Sequence, residues 1–255
     1  MPKLSEKDRF IDFSDYGRPA AQFIVRKLIH TKISAIDYTI AFGIVGLVAI
    51  YCIYNSYFYL AAPLLILKSI LDAADGEVAR VKKTPSYTGR YLDSIFDIIL
   101  NFFLLAIIAH ITLTPYWVAF LAFVCIQIQG TLYNFYYVIL RNKSEGGDQT
   151  SKVFEKKAPR AFPQESQKTV NFLFGLFTLL YGVFDRFVYS LDRKASKSDR
   201  FPNWFMSALS FYGLGFQLLA VSVFLVLDLS QYIIPYFIMS TVAFPFFILV
   251  RKIKY

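Results

Sequence analysis

The sequence predicts an all-α integral membrane protein, a bundle of six transmembrane helices preceded by an N-terminal amphipathic helix at the membrane interface. The first indication is composition, since 56% of the 255 residues are hydrophobic and 18% are aromatic. The second is a series of apolar runs, each long enough to cross a hydrocarbon layer of about 30 Å. The third is that nearly all Lys and Arg residues lie outside these runs. Together these features exclude an ordinary soluble domain.

Six apolar windows define the predicted spans, which cover residues 36–54, 57–72, 92–112, 116–140, 204–227 and 232–250. Residues 18–29 alternate apolar and basic side chains at helical spacing, which predicts the amphipathic helix. We therefore divide the chain into a cytoplasmic N-terminal segment, residues 1–35, and a six-span domain, residues 36–255, which includes the loop 141–203. Within that loop, residues 170–184 form an apolar run of only about fifteen residues, which favours an interfacial or re-entrant helix over a further span.

Basic residues set the predicted orientation. They concentrate before the first span, between the second and third, in the 141–203 loop and after the last span. Short basic loops stay on the cytoplasmic side, so we expect both termini and the long loop there, in the cell's inner or plasma membrane or an equivalent one. The net charge of +9 then reflects topology and attraction to anionic membrane lipids. Nucleic acid is not an expected partner.

Four carboxylates stand at the ends of the second and third spans. Asp72 and Asp75 are three residues apart, and Asp93 and Asp97 are four apart, so each pair lies on one helical face. Because ionised groups at membrane depth are costly, they indicate a functional site. Crowded oxygen ligands favour hard cations, Mg²⁺ or Mn²⁺, and two such ions would clamp phosphoryl oxygens. The site is then expected at the cytoplasmic face.

Two other interpretations of these carboxylates stay open. They are explained as ordinary helix-end charges if they pair with the nearby basic residues Arg80, Lys82, Lys83 and Arg90. They are explained as the lining of a cation path if the protein is a membrane transporter or channel. The spacing and the glycine that follows Asp75 favour a phosphate-handling site, because a glycine lets a phosphate approach the backbone.

The same stretch resembles the signature of the class I CDP-alcohol phosphotransferases, also called CDP-alcohol phosphatidyltransferases. That signature, D-x2-D-G-x2-A-R-x8-G-x3-D-x3-D, is matched at every fixed position by Asp72, Asp75, Gly76, Ala79, Arg80, Gly89, Asp93 and Asp97. Eight fixed positions at the right spacing make the resemblance specific. It implies a six-span fold and a reaction in which a substituted phosphate moves from a CDP-alcohol to an acceptor hydroxyl, with release of CMP.

The resemblance also implies residue roles. Asp72, Asp75 and Asp93 correspond to metal ligands for two divalent cations, with Asp97 sharing the second. Asp93 and Asp97 form the catalytic pair, and Asp97 is the general base. Gly76, Ala79, Arg80 and Gly89 correspond to the surface that receives the CDP moiety. Thr39, the remnant of a family element before the first span, is a weaker CDP contact. The resemblance further implies a homodimer.

The donor and the acceptor stay open in the sequence. CDP-diacylglycerol with a small polar acceptor is the favoured pair, and CDP-choline or CDP-ethanolamine with a lipid hydroxyl is the alternative. Lys68, Arg141 and Lys143 are candidates for binding an acceptor or lipid phosphate. The alternative for Lys68 is an ion pair with Asp72, which lies one helical turn further on.

Polar and aromatic residues of the fourth span have two interpretations each. Gln127, Gln129 and Asn134 either contact an acceptor or bridge helices. Four aromatic residues either cage a quaternary amine or belong to the interfacial aromatic belt, which is favoured; they are Tyr133, Phe135, Tyr136 and Tyr137.

Overall fold

The computed structural model describes residues 4, 8–143, 152, 155–198 and 201–254. All regular structure in these residues is helical, in ten α-helices and five short 3-10 helices. In chain order they are α1 (Arg18–Leu28), α2 (Ala35–Tyr54), α3 (Phe58–Val81), α4 (Tyr87–Ile111), α5 (Tyr116–Lys143), α6 (Gln167–Leu191), α7 (Asn203–Leu209), α8 (Leu214–Val226), α9 (Ile233–Ser240) and α10 (Phe244–Lys254).

Local sequence explains where the helices begin and turn. Ser34 and Asp37 form a capping box at the start of α2, and the Ser86 hydroxyl accepts a hydrogen bond from the Gly89 N–H at the start of α4. Four tight connections between helices each contain one residue at positive φ, which reverses the chain in a few residues; these are Ser56, Lys83, Leu113 and Asp228. Of the helices that they join, α2 packs on α3 and α4 packs on α5.

The membrane-spanning character is confirmed. Five helical stretches are long and apolar enough to cross a membrane: α2, α4, α5, α6 and the combined stretch Ser230–Ile253. The pair formed by α7 and α8 makes a sixth if it is counted as one span bent by 53°. Helix α3 is 24 residues long but carries Lys68, Asp72 and Asp75 within its apolar stretch. The all-helical membrane bundle predicted from the sequence is therefore present.

Two predicted spans differ in detail from the observed helices. The second was expected to end at Asp72, but α3 continues to Val81, so both carboxylates of the first pair lie inside a helix. The fifth was expected to be continuous, but it breaks at Gly213, where the backbone becomes extended before α8 begins. The break follows from close packing of another part of the chain against this glycine, which an apolar pattern does not reveal.

Helix α6 is longer than the sequence indicated. The apolar run of about fifteen residues lies within a helix of 25 residues, which continues through Asp185 and Arg186 to Leu191. Length and composition would allow it to cross a membrane. The helix length expected from the apolar run was too short. The polar residues Asp185 and Arg186 line the cavity described below and do not end the helix.

The path of α6 follows one end of the bundle. Near its start Val170 and Leu173 pack on Tyr91, the fifth residue of α4. Near its end Val188 packs with Tyr136, which lies seven residues before the end of α5, within about 10 Å of it. Both contacts are far from the α4–α5 turn at residues 112–115. The two ends of α6 thus contact the same end of the α4–α5 hairpin, although an interfacial placement stays a prediction.

The largest buried apolar cluster lies between α2, α3, α4, α5, α8 and α9 and includes Phe42, Ile53, Leu65, Leu105, Ile108, Ile126, Leu218 and Phe237. The amphipathic helix α1 packs beside it, with Ala21 and Val25 against Ala74 and Val78 of α3. Contacts of this kind hold α1 against the half of α3 that carries the two carboxylates. The N-terminal helix is therefore part of the framework of the site.

Residues 12–17, ahead of α1, pack against the broken span. The Phe13 N–H donates to the Ser210 hydroxyl at 2.9 Å, and the Tyr133 hydroxyl donates to Asp12 at 2.6 Å. Ser14 lies so close to Gly213 and Gly215 that a Cβ atom on either glycine would overlap it. This segment, which we call the N-terminal wall, was not anticipated from the sequence.

We predict that Gly215→Ala destabilises the protein by roughly 1–3 kcal/mol, because the new methyl group overlaps the Ser14 carbonyl and displaces the N-terminal wall. Thermal unfolding of the purified protein in detergent measures the change. Gly175→Ala in α6 is the matched control, since nothing lies within 4 Å of that position. The control is expected to be neutral or stabilising by up to about 1 kcal/mol. Equal stability of the two variants would contradict the close packing.

Candidate active site

A cavity of about 910 Å³ opens at the end of the bundle where α3 ends and α4 begins. Helices α3, α4, α5, α6 and α8 and the N-terminal wall contribute to its lining. All eight signature positions line it, namely Asp72, Asp75, Gly76, Ala79, Arg80, Gly89, Asp93 and Asp97. Residues that are up to 25 positions apart in the sequence thus surround one space.

Three of the four carboxylates come together. Oxygens of Asp72, Asp75 and Asp93 lie within 4.8 Å of one another, and all three residues are partly buried. One Asp93 oxygen is buried without a hydrogen-bond partner among the described residues. Crowded anionic oxygens with an unsatisfied acceptor fit a hard divalent cation such as Mg²⁺ or Mn²⁺. No nitrogen or sulfur ligand belongs to this group in the described part of the chain.

Asp75 has a further partner in Thr39 of α2. The Thr39 hydroxyl donates a hydrogen bond of 2.9 Å to Asp75, and Thr39 lines the cavity while being 1% exposed. The sequence indicated Thr39 as a CDP contact. That contact stays a prediction. In the structure the Thr39 hydroxyl is directed toward the Asp75 carboxylate, which holds that carboxylate in its orientation.

Asp97 lies apart from the three clustered carboxylates. It is one helical turn deeper than Asp93 on α4 and forms a buried ion pair with Lys68 of α3. Lys68 is 1% exposed, and its ammonium group lies 4.8 Å from the centre of the Phe42 ring. It therefore does not line the cavity where a lipid phosphate would lie, and it pairs with Asp97 rather than with Asp72.

The other two candidates for an acceptor phosphate differ in position. Arg141 lines the cavity near the end of α5. Lys143 donates to the Ser198 carbonyl instead and does not line the cavity. Of the three basic residues indicated by the sequence for this role, the structure places only Arg141 at the cavity.

Arg80 belongs to a network that the sequence did not reveal. Its guanidinium donates to Glu77 at 2.8 Å, and Arg18 of α1 reaches the same carboxylate at 3.5 Å. Arg80 folds back over Gly76, where a Cβ atom would lie 3.3 Å from it. The Arg80 Nε is buried without a partner among the described residues. Arg80 also lines the cavity, and a guanidinium there can donate to an anionic ligand.

The segment between α5 and α6 anchors the start of α4. Glu165 accepts hydrogen bonds from the Ser86 hydroxyl at 2.8 Å, the Thr88 N–H at 2.7 Å and the Tyr87 N–H at 3.2 Å. Burial alone would raise the pKa of the Glu165 carboxyl, but these hydrogen bonds outweigh burial and lower that pKa below its ordinary value. Glu155 accepts from Arg90 at 2.6 Å. The loop is thereby held against the helix that carries Gly89, Asp93 and Asp97.

The polar residues of α5 separate into two groups. Gln129 bridges helices, since its amide donates to the Phe237 carbonyl and to Thr241 of the α9–α10 connection. Gln127 and Asn134 line the cavity, as does Thr131, which the sequence did not single out. Gln129 therefore bridges helices, whereas Gln127 and Asn134 lie at the cavity.

The four aromatic residues do not form one cage. Tyr133 and Tyr137 stack with ring centres 5.6 Å apart and line the cavity. Phe135 also lines it but packs its ring against Tyr136 and Tyr189. Tyr136 is fully buried and donates to Asp192. Two of the four rings are thus committed to packing between α5, α6 and α7.

Comparisons with known proteins agree with the geometry. A family model described as CDP-alcohol phosphatidyltransferase matches residues 37–244 of the 255-residue chain. Searches among curated proteins and among solved structures gave no match. The matched region runs from α2 to the first residue of α10 and includes every signature position that lines the cavity. The chain therefore belongs to the CDP-alcohol phosphatidyltransferase family.

Proposed function

We propose that this membrane transferase moves a substituted phosphate group from a CDP-alcohol to an acceptor hydroxyl, releases CMP, and acts in phospholipid biosynthesis. The observation that carries the proposal is the cluster of Asp72, Asp75 and Asp93 in a cavity lined by the complete signature. Family membership favours this reaction over a cation transporter or channel.

Two divalent cations, Mg²⁺ or Mn²⁺, would be held by Asp72, Asp75 and Asp93, with Asp97 sharing the second. When bound, they would neutralise the diphosphate of the donor and stabilise CMP as the leaving group. The donor set fits them because it offers only carboxylate oxygens and includes an unpartnered Asp93 oxygen. Asp93 thereby belongs to the catalytic set.

The protein's own side chains divide the remaining work. Asp97 takes the proton of the attacking hydroxyl, whose oxygen forms a bond to phosphorus while the bond between phosphorus and the CMP oxygen breaks. The departing oxygen keeps the bonding electron pair. Lys68 holds the Asp97 carboxylate in place, and Thr39 does the same for Asp75.

The nucleotide is proposed to lie at the mouth of the cavity. Gly76, Ala79, Arg80 and Gly89 form its surface there. The Arg80 side chain covers Gly76, the Ser86 side chain lies beside Gly89, and the Arg80 guanidinium offers an anion-binding donor. Arg141 is retained as a contact for a phosphate near the same opening.

CDP-diacylglycerol is the favoured donor, with a small polar alcohol as acceptor. Apolar side chains that line part of the cavity suit the lipid portion of such a donor; they include Ile126, Phe174, Phe177 and Leu214. The alternative is CDP-choline or CDP-ethanolamine with a lipid hydroxyl, for which the stacked pair Tyr133 and Tyr137 would face an amine. We further propose a homodimer in the inner or plasma membrane, or an equivalent one.

Metal dependence is the first test. We expect purified protein to release CMP from CDP-dioleoylglycerol or CDP-choline, in the presence of an acceptor alcohol, only with Mg²⁺ or Mn²⁺. Asp93→Asn is expected to lose at least about a hundred-fold in rate because a metal ligand is missing. CMP release is measured by chromatography. Asp228→Asn is the control, since that exposed carboxylate lies in the α8–α9 connection. Metal-independent CMP release by a folded protein would contradict the proposal.

The role of Asp97 has its own test. We expect Asp97→Asn to bind the CDP-alcohol with an affinity near that of the parent but to lose most turnover, roughly 10²–10⁴-fold, because no base receives the proton. Calorimetric binding and CMP release give the two quantities. Turnover at the parental rate would remove Asp97 from this role.

Sidedness is tested by cysteine labelling with a membrane-impermeant maleimide. In a background lacking Cys52 and Cys125, we expect Leu113→Cys to react in intact cells and Lys32→Cys to react only after lysis. Lys194→Cys, which follows α6, is expected to behave like Lys32→Cys because both ends of α6 contact one end of the bundle. Labelling of Lys194→Cys in intact cells would show that α6 crosses the membrane.

A further inference from the structure

Two polar side chains of α5 face the cavity without partners. Gln127 is 3% exposed and Thr131 is 6% exposed, and both line the cavity. The Gln127 Nε2 and the Thr131 hydroxyl have no hydrogen-bond partner among the described residues. Because a buried polar atom without a partner costs free energy, such pairs call for an explanation.

Among the described residues, the amide nitrogens of the other two buried glutamines have hydrogen-bond partners, and one of these residues, Gln217, also lines the cavity. Gln129 donates to the α9–α10 region, and Gln217 of α8 donates to the Ile126 carbonyl and to Gln129. Buried glutamines thus serve helix packing elsewhere in this bundle. Gln127 and Thr131 lie one helical turn apart and lack such partners. This indicates that they contact a ligand rather than join helices.

The depth of these residues follows from the α4–α5 hairpin. Asn101 lies eleven residues before Thr112, where α4 ends, and Gln127 lies twelve residues after Pro115, before α5 begins. At 1.5 Å per residue both stand about 17 Å from the turn. By the same count Thr131 stands level with Asp97.

Asn101 adds a third polar side chain to this part of the cavity. It is 6% exposed and lines the cavity one turn deeper than Asp97 on the same helix. Asn101 and Gln127 thus lie on the membrane side of the proposed base, and Thr131, level with it, completes the set. We call it the deep polar subsite.

The deep polar subsite carries no free cation in the described residues. The basic side chains that line the cavity belong to the ends of α3, α4 and α5, to α6 and to the 152–156 loop; they are Arg80, Lys83, Arg90, Arg141, Lys152, Lys156 and Arg186. Lys68, the basic residue at this depth, is paired with Asp97. A phosphorylated group would therefore find no partner of opposite charge here.

We propose that Asn101, Gln127 and Thr131 bind the non-reacting oxygens of an uncharged, hydroxyl-bearing acceptor. The proposal rests on the transferase reaction above, in which CMP leaves toward the mouth. Displacement at phosphorus is in line, so the acceptor attacks from the side opposite to CMP. That side is the deep one, where Gln127 donates to an acceptor oxygen and Asp97 receives the proton of the reacting hydroxyl.

Two kinds of acceptor are uncharged and carry a hydroxyl group. One is a free neutral polyol, and the other is the glycerol portion of a diacylglycerol, whose ester carbonyls also accept hydrogen bonds. Glycerol with CDP-dioleoylglycerol tests the first source, and dioleoylglycerol in mixed micelles with CDP-choline tests the second. sn-Glycerol 3-phosphate with CDP-dioleoylglycerol tests a charged acceptor.

The variants are Gln127→Leu and Thr131→Val. For whichever neutral acceptor the parent uses, we expect each to raise the acceptor KM roughly three- to ten-fold, as loss of one hydrogen bond predicts, with the donor KM within about two-fold of the parent. Because the removed groups are unpartnered without ligand, the melting temperature should stay equal or rise. Gln129→Leu is the matched control, expected to lower the melting temperature and leave the acceptor KM unchanged.

Ligand-induced thermal stabilisation keeps the subsite testable apart from catalysis. We expect millimolar glycerol or dioleoylglycerol to give a saturable rise in melting temperature that Gln127→Leu abolishes, even if no donor supports CMP release and the proposed reaction fails. Unchanged acceptor KM and unchanged thermal shifts in both variants would overturn the subsite. A lower KM for sn-glycerol 3-phosphate than for either neutral acceptor would also overturn it.

Discussion

Oxygens of Asp72, Asp75 and Asp93 lie within 4.8 Å of one another at the end of two apolar helices, and anions at that separation repel. The fold holds them together by burying α3 and α4 against α2, so that Thr39 can donate to Asp75 and Lys68 can pair with Asp97. A divalent cation would remove the repulsion. The walls of the cavity must therefore hold the three carboxylates in place and still let a ligand reach them.

Segments outside the predicted spans supply much of that rigidity. The N-terminal wall packs against Gly213 and Gly215 at the broken span, and α1 buries its apolar face on α3. On the other side, Glu165 of the loop caps the start of α4, and α6 lies along the same end of the bundle. The half of the protein that holds the cavity is thereby enclosed by elements that lie outside the six spans predicted from the sequence.

Sequence patterns predicted the helical membrane bundle and the signature residues because these depend on local properties. Apolar runs mark α2, α4 and α5 directly, and all eight signature positions line one cavity. The extent of α6 was misjudged because Asp185 and Arg186 face a cavity instead of ending a helix. Lys68 was interpreted as a phosphate contact or as a partner of Asp72, whereas its observed pairing with Asp97 depends on how two helices pack.

The sequence alone determined that the carboxylates of each pair share one helical face, because they are spaced at i, i+3 and i, i+4. Only the tertiary structure decided that three of them cluster while Asp97 stands one turn deeper with Lys68. It also decided that Gln127 faces the cavity while Gln129 faces α9. Residues two positions apart lie on nearly opposite faces of a helix. Because apolar residues occupy both faces of α5, its sequence does not reveal which face points into the cavity.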